Sequence, residues 1–340
     1  MFAKVENHYK EQMKVALIRL RKLGDIILST ALLQALKKTN PNLYLFLITK
    51  DNYSGLASML PAQTKILCLT APHKTKSIKE LGTILSHIKL DIILDLQCNP
   101  SSLLLNVLAH PRRRYFYKKD IFHRHFRIRT LSKLKTKHTI KKYFYAAEKA
   151  WLLPRDSAII TPFLIPPSRE KQVTQMNSPI VILPGAGRFT KRWILIYYVR
   201  LSQLLIAAGK TPIFIGGKSD TELLNSIQKI GAEGIFRSDL TLIEIAKTIH
   251  SADIILGNDS GLSQMAWALG KPLVLIAGGT HRILGFFPFG MNIKIIEENL
   301  PCRPCSLHGL SNCPKKHFKC MKLLTPEKVF STLLAIWPPK

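Results

Sequence analysis

Acidic side chains are scarce in this 340-residue chain: 21 Asp and Glu stand against 50 Lys and Arg, a formal net charge of +29. That imbalance calls for an anionic partner and leaves nucleic acid, an anionic membrane surface and a phosphorylated substrate all open. Long apolar runs are also missing. Nowhere do 18 apolar residues follow one another, and Met1 to Lys14 holds no apolar core of signal-peptide length, so the expectation is a cytoplasmic protein that touches a membrane peripherally without crossing it. Cysteine is sparse and uneven. Of six, Cys68 and Cys98 are isolated in apolar surroundings and four lie near the C-terminus, a distribution that argues against a disulfide framework in a reducing compartment. What is present in quantity is apolar residue, 46%, enough for packed cores and against extensive disorder. The length predicts two domains of about 150 residues each.

The first half alternates apolar strands with helical patterns. Val15 to Leu20 reads as a strand, Arg21 to Asp25 as a Gly-containing turn, and Ile26 to Leu36 as a buried helix with Lys37 and Lys38 in its last turn. Strands follow at Leu43 to Ile48, near Ile66 to Leu69 and at Asp91 to Leu96. Such alternation predicts a parallel doubly wound sheet, with ligands beyond the carboxyl ends of its strands. Asp25 sits at such an end. It either caps the helix starting there or presents a carboxylate to an interdomain cleft.

Loosened patterning with Pro154, Pro162, Pro166, Pro167 and Pro179 around a polar stretch divides the chain into 1–165, a linker at 166–178, and 179–340. The second half opens with the strand Ile180 to Leu183 and the turn Pro184-Gly185-Ala-Gly187-Arg188, followed by Lys191 and Arg192. A lone Gly-x-Gly is a weak nucleotide signal; cations at a strand's carboxyl end strengthen it, because they can neutralise phosphate oxygens. The strand Thr211 to Ile215 leads into Gly216-Gly-Lys-Ser-Asp220-Thr-Glu222. Either acid could accept from ribose hydroxyls, and helix capping accounts for Asp220 equally well. Ser251 to Ile276 then reads as strand, turn, helix and strand, with Asp259-Ser260-Gly261 at the start of the helix. Unpaired N–H groups and a positive dipole end make that start a place for a diphosphate, or Asp259 or Ser260 is simply its cap.

Two further stretches stand out. Arg112 to Lys142 carries 13 Lys or Arg and one acid, Asp120, with Tyr115, Phe116, Tyr117, Phe122 and Phe126 interleaved. This is a solvated face or a contact for RNA, an anionic lipid headgroup or a phosphorylated saccharide. Cys302, Cys305, Cys313 and Cys320, with His308 and His317 nearby, have spacing compatible with a structural zinc site or with a loop of reduced, partly buried thiols. A catalytic metal is not required, since cations and helix N-termini can hold a diphosphate.

In this order, the Val15 to Asp25 block with its helix, Leu183-Pro-Gly-Ala-Gly187 through Lys191-Arg-Trp193, Gly216-Gly217 with its acids, Asn258-Asp-Ser-Gly-Leu262 and the terminal cysteines resemble the bacterial lipopolysaccharide heptosyltransferases of glycosyltransferase family 9. The resemblance runs from about Lys14 to Trp337. It implies an α/β fold of GT-B architecture, two Rossmann-like domains facing across a cleft, with acceptor on the first and an ADP-heptose donor on the second. It further implies inverting transfer to the anionic inner core of lipopolysaccharide, either Kdo-lipid A or an already heptosylated core, at the inner-membrane surface. No cofactor is required and nucleic acid is not a partner. By the same resemblance Asp25 is the general base and Lys191 compensates the diphosphate. Gly24, Gly185, Gly187, Arg188, Thr190, Gly216, Asp220, Glu222, Asp259, Ser260, Gly261, Leu262 and Gln264 are the expected donor-binding positions. Where the family usually has Asp-Thr-Gly followed shortly by His, this chain has Ser260 and Gln264, which keep a hydroxyl and an amide donor but no titratable ring. Two alternatives accompany this reading: the same fold using another nucleotide sugar in cell-surface polysaccharide synthesis, and a non-catalytic nucleic-acid-binding protein.

Overall fold

Short, wholly apolar runs flanked by helical patterns fold as parallel strands, because helices covering both faces of a sheet leave no polar face for alternate residues. The computed structural model describes residues 12–72, 74–119, 137–167 and 180–337. The expected linker from residue 168 onward lies outside the described residues. So do residues 1–11 and the middle of the basic segment, 120–136, with Asp120, Phe122 and Phe126. The described residues fall into two compact units, one within Met1–Lys119 and Thr139–Leu164, the other within Asp120–His138 and Ile165–Lys340.

The first unit is built on β1 (Lys14–Ile18), α1 (Leu23–Thr39), β2 (Tyr44–Lys50), β3 (Thr64–Leu69), α2 (Thr75–Ile88), β4 (Ile92–Asp95), α3 (Pro100–Leu108), β5 (Arg113–Phe116) and α4 (Thr139–Lys149). Its five strands lie in the order β3-β2-β1-β4-β5. All pair in parallel, Val15 opposite Leu45 on one side and Ile92 on the other. Ile18, Phe46, Ile48, Leu81, Leu85, Ile93 and Leu105 share one core. The edge strand β5 arises inside the basic run, where the composition suggested a charged surface or binding face and no strand. Arg113 and Arg114 are exposed on it, and charged side chains on an edge discourage pairing with a second sheet. Lys142, from the same run, is buried, and Lys119 donates to the Cys98 carbonyl at 2.8 Å. Part of the positive charge is therefore structural.

The second unit contains β6 (Ile180–Leu183), α5 (Leu195–Ala207), β7 (Pro212–Ile215), α6 (Thr221–Lys229), β8 (Ile235–Arg237), α7 (Leu242–Ser251), β9 (Ile254–Asn258), α8 (Gly261–Ala268), β10 (Leu273–Ala277), β11 (Ile293–Glu297), α9 (Lys319–Lys322) and α10 (Pro326–Ile336). Six parallel strands run β11-β10-β9-β6-β7-β8. The strand order reverses between β6 and β9, and in open parallel sheets ligands bind beyond the strand ends at that point. The C-terminal helix α10 is set by Thr325, whose hydroxyl accepts from the Lys328 N–H at 3.3 Å, and by Pro326 in its first turn. Val329 and Leu333 carry it onto a core of Trp193, Tyr198, Leu201, Phe214 and Met321, and the Trp193 indole N–H donates to the Leu324 carbonyl at 2.8 Å. The last segment of the chain is thus welded to the glycine turn after β6. Among the described residues no helix is long and apolar enough to cross a membrane.

Candidate functional site

Because every strand of the second sheet points the same way, the loops after β6, β7, β9 and β10 emerge at one edge. That edge gathers Gly185, Gly187, Arg188 and Lys191 from the first loop, Gly216 and Asp220 from the second, and Asp259, Ser260, Gly261, Leu262 and Gln264 from the third. Asn258, fully buried at the end of β9, ties two of these loops together. Its amide donates to the Pro184 carbonyl at 2.7 Å and to the Tyr198 hydroxyl at 3.1 Å, while its Oδ1 accepts from the Trp193 N–H at 3.2 Å. Burial drives the Tyr198 phenol far above its ordinary pKa, so it stays protonated.

Ser260, in extended backbone, caps α8 by accepting from the Ser263 N–H at 3.3 Å. The first turn leaves the N–H groups of Gly261 and Leu262 without intrahelical acceptors, at the positive end of the helix. Beside it, Lys191 Nζ lies 2.9 Å from Asp259 Oδ2, with side chains 16% and 12% exposed. The same carboxylate oxygen accepts from Thr280 Oγ1 at 2.8 Å. A largely buried ammonium and a helix start whose first N–H groups lack intrahelical acceptors, joined through Asp259 and Ser260, offer a place for an anion.

Asp220 stands at the N-cap of α6 but does not cap it. Its carboxylate turns back and accepts from the Gly217 N–H at 3.1 Å. A Cβ on Gly185 would come within 2.6 Å of that carboxylate, so the glycine after β6 is what lets Asp220 enter the turn. Burial raises the Asp220 pKa, opposed by the Gly217 N–H and by Arg192. Glu222 is exposed on the first turn of α6. Thr190, expected to touch the donor, is instead an internal brace. It is 1% exposed, its hydroxyl accepts from the Leu310 N–H at 2.7 Å, its N–H donates to Leu310 O at 3.1 Å, and its carbonyl accepts from the Gly279 N–H at 2.8 Å. Gln264 also departs from expectation. One amide N–H is directed at the Phe286 carbonyl, 2.9 Å away, and its Oε1 is buried with no hydrogen-bond partner among the described residues.

In the first unit, α1 begins at Leu23, with Lys22 at φ 63° in the N-cap position. Gly24 and Asp25 consequently lie inside the first turn, and Asp25 is no cap. Its carboxylate, 15% exposed, pairs with the nearly buried guanidinium of Arg19 at the end of β1. Arg19 is fixed in turn by donating to the Leu96 carbonyl after β4, and Gln97 Oε1 accepts from the Leu20 N–H at 3.1 Å. This carboxylate therefore occupies the point where the first sheet reverses its strand order, between β1 and β4. Arg19 escaped the sequence reading, since an arginine inside an apolar strand gives no sign of which acid it meets.

The four C-terminal cysteines, considered for a structural metal, lie within electrostatic reach of one another. Among the described residues no group of three or more His, Cys, Asp or Glu is placed to hold one. Cys302 Sγ is 3.9 Å from His317 Nε2. Cys305 Sγ donates to the Gly279 carbonyl at 3.3 Å, a bond that a thiolate ligand could not make. Burial pushes the Cys305 thiol up and the Cys320 thiol to about 11. Without a metal, burial keeps the Cys305 and Cys320 thiols protonated at neutral pH.

The sequence matches the profile of glycosyltransferase family 9 (heptosyltransferase) over residues 78–315. Lipooligosaccharide heptosyltransferase 2 of Campylobacter jejuni serotype O:6 is 26% identical over 337 residues, covering 93% of this chain and 97% of that one. The structure of E. coli ADP-heptose lps heptosyltransferase II superposes with a TM-score of 0.76 at 20% identity, covering 96% of this chain and 98% of the other. E. coli heptosyltransferase WaaC with ADP-2-deoxy-2-fluoro heptose gives 0.70 at 16% identity, covering 95% and 99%. The two doubly wound parallel units are thus the GT-B fold, as the motif order implied. With more than two thirds of its length inside the family profile, the chain belongs to glycosyltransferase family 9, the heptosyltransferases, and is a glycosyltransferase.

Proposed function

We propose that the chain transfers heptose from ADP-heptose to the anionic inner core of lipopolysaccharide, with inversion at the anomeric carbon. Residues 179–340 bind the donor and residues 1–165 the acceptor. The observation that carries this reading is the buried Lys191–Asp259 pair beside the capped start of α8, at the strand-order reversal of its sheet. In this reading Asp25 Oδ takes the proton of the acceptor hydroxyl as that oxygen attacks the anomeric carbon. The bond from that carbon to the diphosphate oxygen breaks with its electron pair on ADP. Lys191 and the N–H groups of Gly261 and Leu262 meet the charge that develops there. Support comes from the relative named a lipooligosaccharide heptosyltransferase and from the neighbour solved with an ADP-heptose analogue. The excess of basic residues suits an anionic acceptor at the surface of the inner membrane. A transfer assay with purified protein, ADP-heptose and graded core truncations, with linkage read by mass spectrometry and NMR, tests it. Absence of transfer to every truncation would overturn it.

The Gln264 geometry gives a sharper test of the donor. A buried acceptor without a partner among the described residues costs stability, and a sugar or ribose hydroxyl would satisfy it once donor binding turns the amide outward. Gln264→Met removes the acceptor together with the bond to Phe286, so stability changes little while donor KM rises about tenfold, the size of one well-placed hydrogen bond. An unchanged KM across a panel of nucleotide sugars would show that residue 264 does not read the donor.

Asp220 separates a ribose contact from a turn brace. Because burial raises its folded pKa, the native state holds that proton more readily than the unfolded chain. The buried charge therefore costs stability in full above the folded pKa, and the cost shrinks as pH falls below that value and is gone below the unfolded pKa. Asp220→Asn removes the charge and can still accept from Gly217. It is expected to hold or raise Tm at neutral pH, and to raise donor KM about tenfold through the weakened ribose bonds. A fall in Tm with unchanged KM would identify a brace alone.

A further inference from the structure

We infer that Thr280 is a positioning residue for Lys191, acting through Asp259. It follows β10, is 3% exposed, and had no place among the residues marked by the motifs. Its hydroxyl and the Lys191 ammonium approach the same oxygen, Asp259 Oδ2, at 2.8 and 2.9 Å. A carboxylate oxygen has two in-plane lone pairs, so the threonine occupies one and confines the ammonium to the other. The consequence is chemical. Thr280 draws off part of the carboxylate's accepting capacity and fixes the direction from which lysine approaches, leaving two of its N–H groups for phosphate oxygens.

The turn that presents Thr280 is itself fixed. Arg303, with a side chain 2% exposed, donates to the carbonyls of Gly278 at 2.5 Å, Ala277 at 3.1 Å and Thr280 at 2.8 Å. Its charge is met by Glu297 Oε2 at 3.0 Å. Three carbonyls of one turn converging on a planar guanidinium leave that turn little rotational freedom. Gly279 sits under the same constraint, since a Cβ there would lie 2.9 Å from both Thr190 Oγ1 and Cys305 Sγ. The threonine hydroxyl therefore reaches Asp259 from a rigid platform, and its removal should change the lysine more than the fold.

This inference rests on the role proposed for Lys191. The test measures ADP affinity by calorimetry and single-turnover transfer for the wild type, Thr280→Val, Thr280→Ser, Lys191→Met and the Thr280→Val/Lys191→Met pair. Thr280→Val is expected to weaken ADP binding and slow transfer about tenfold, as for loss of one hydrogen bond to a charged group, and Thr280→Ser to restore both. In the Lys191→Met background the same valine should change ADP affinity by less than about twofold, because residues acting as one unit are not additive. A tenfold loss in both backgrounds, or no loss in the wild type, would overturn the positioning role. If Lys191→Met alone leaves ADP affinity and transfer intact, the assignment of Lys191 fails instead.

Discussion

Asp25→Asn should remain folded, bind ADP within about twofold of wild type and transfer sugar about 10²- to 10⁴-fold more slowly, the range for removal of a general base. Asparagine has the same shape and can still accept from Arg19, but it cannot take a proton. The buried guanidinium of Arg19 loses its counter-ion, and an uncompensated buried charge lowers stability by a few kcal/mol (about 3–5 when one partner of a fully buried pair is removed). Tm should therefore fall, and ADP affinity is the control that separates this from loss of the donor-binding fold. Asp25→Glu, which keeps a base but moves it by one methylene, should recover only part of the rate. A variant with wild-type turnover at saturating donor and acceptor would remove Asp25 from the mechanism.

Lys191→Met should lower kcat/KM about 10²- to 10³-fold, the range for one charge-stabilising group at a developing anion. Two effects add. The departing diphosphate loses its nearest cation, and Asp259, freed from the ammonium at 2.9 Å, becomes a negative charge beside another negative charge. That second effect is separable, because Asp259→Asn in the Lys191→Met background should recover part of the loss by removing the repulsion. Lys191→Arg keeps the charge but replaces a compact ammonium by a bulkier planar fork where Gly309 packs against the lysine chain, and should recover only part of the rate. Full activity in Lys191→Met at neutral pH would assign the diphosphate to the helix start alone.

Much of this architecture was legible because it is written in local chemistry. Wholly apolar runs such as Val15–Ile18 and Ile180–Leu183 gave the parallel strands. Gly185 and Gly216 marked turns at strand ends, and Ser260 proved to be the cap of its helix. The local signals failed where a residue had two local explanations. Asp25 and Asp220 each read as a possible cap, yet Asp25 lies inside its helix and turns to Arg19, and Asp220 turns back to Gly217. In the basic run, charge masked the edge strand Arg113–Phe116, whose existence depends on a neighbour, β4, that propensity does not see.

Two doubly wound α/β units, the family they belong to and the loops that carry the candidate site follow from the order of residues alone, because strand and turn preferences and glycine positions act over a few residues. Only the tertiary structure decided which side chains in those loops meet. Lys191, Asp259, Thr280 and Arg303 come from separate connections after β6, β9, β10 and β11, and join because parallel strands deliver all their carboxyl-end loops to one edge. Burial at that edge then limits each charge to the few partners within reach, a choice made by distance in space and not by position along the chain.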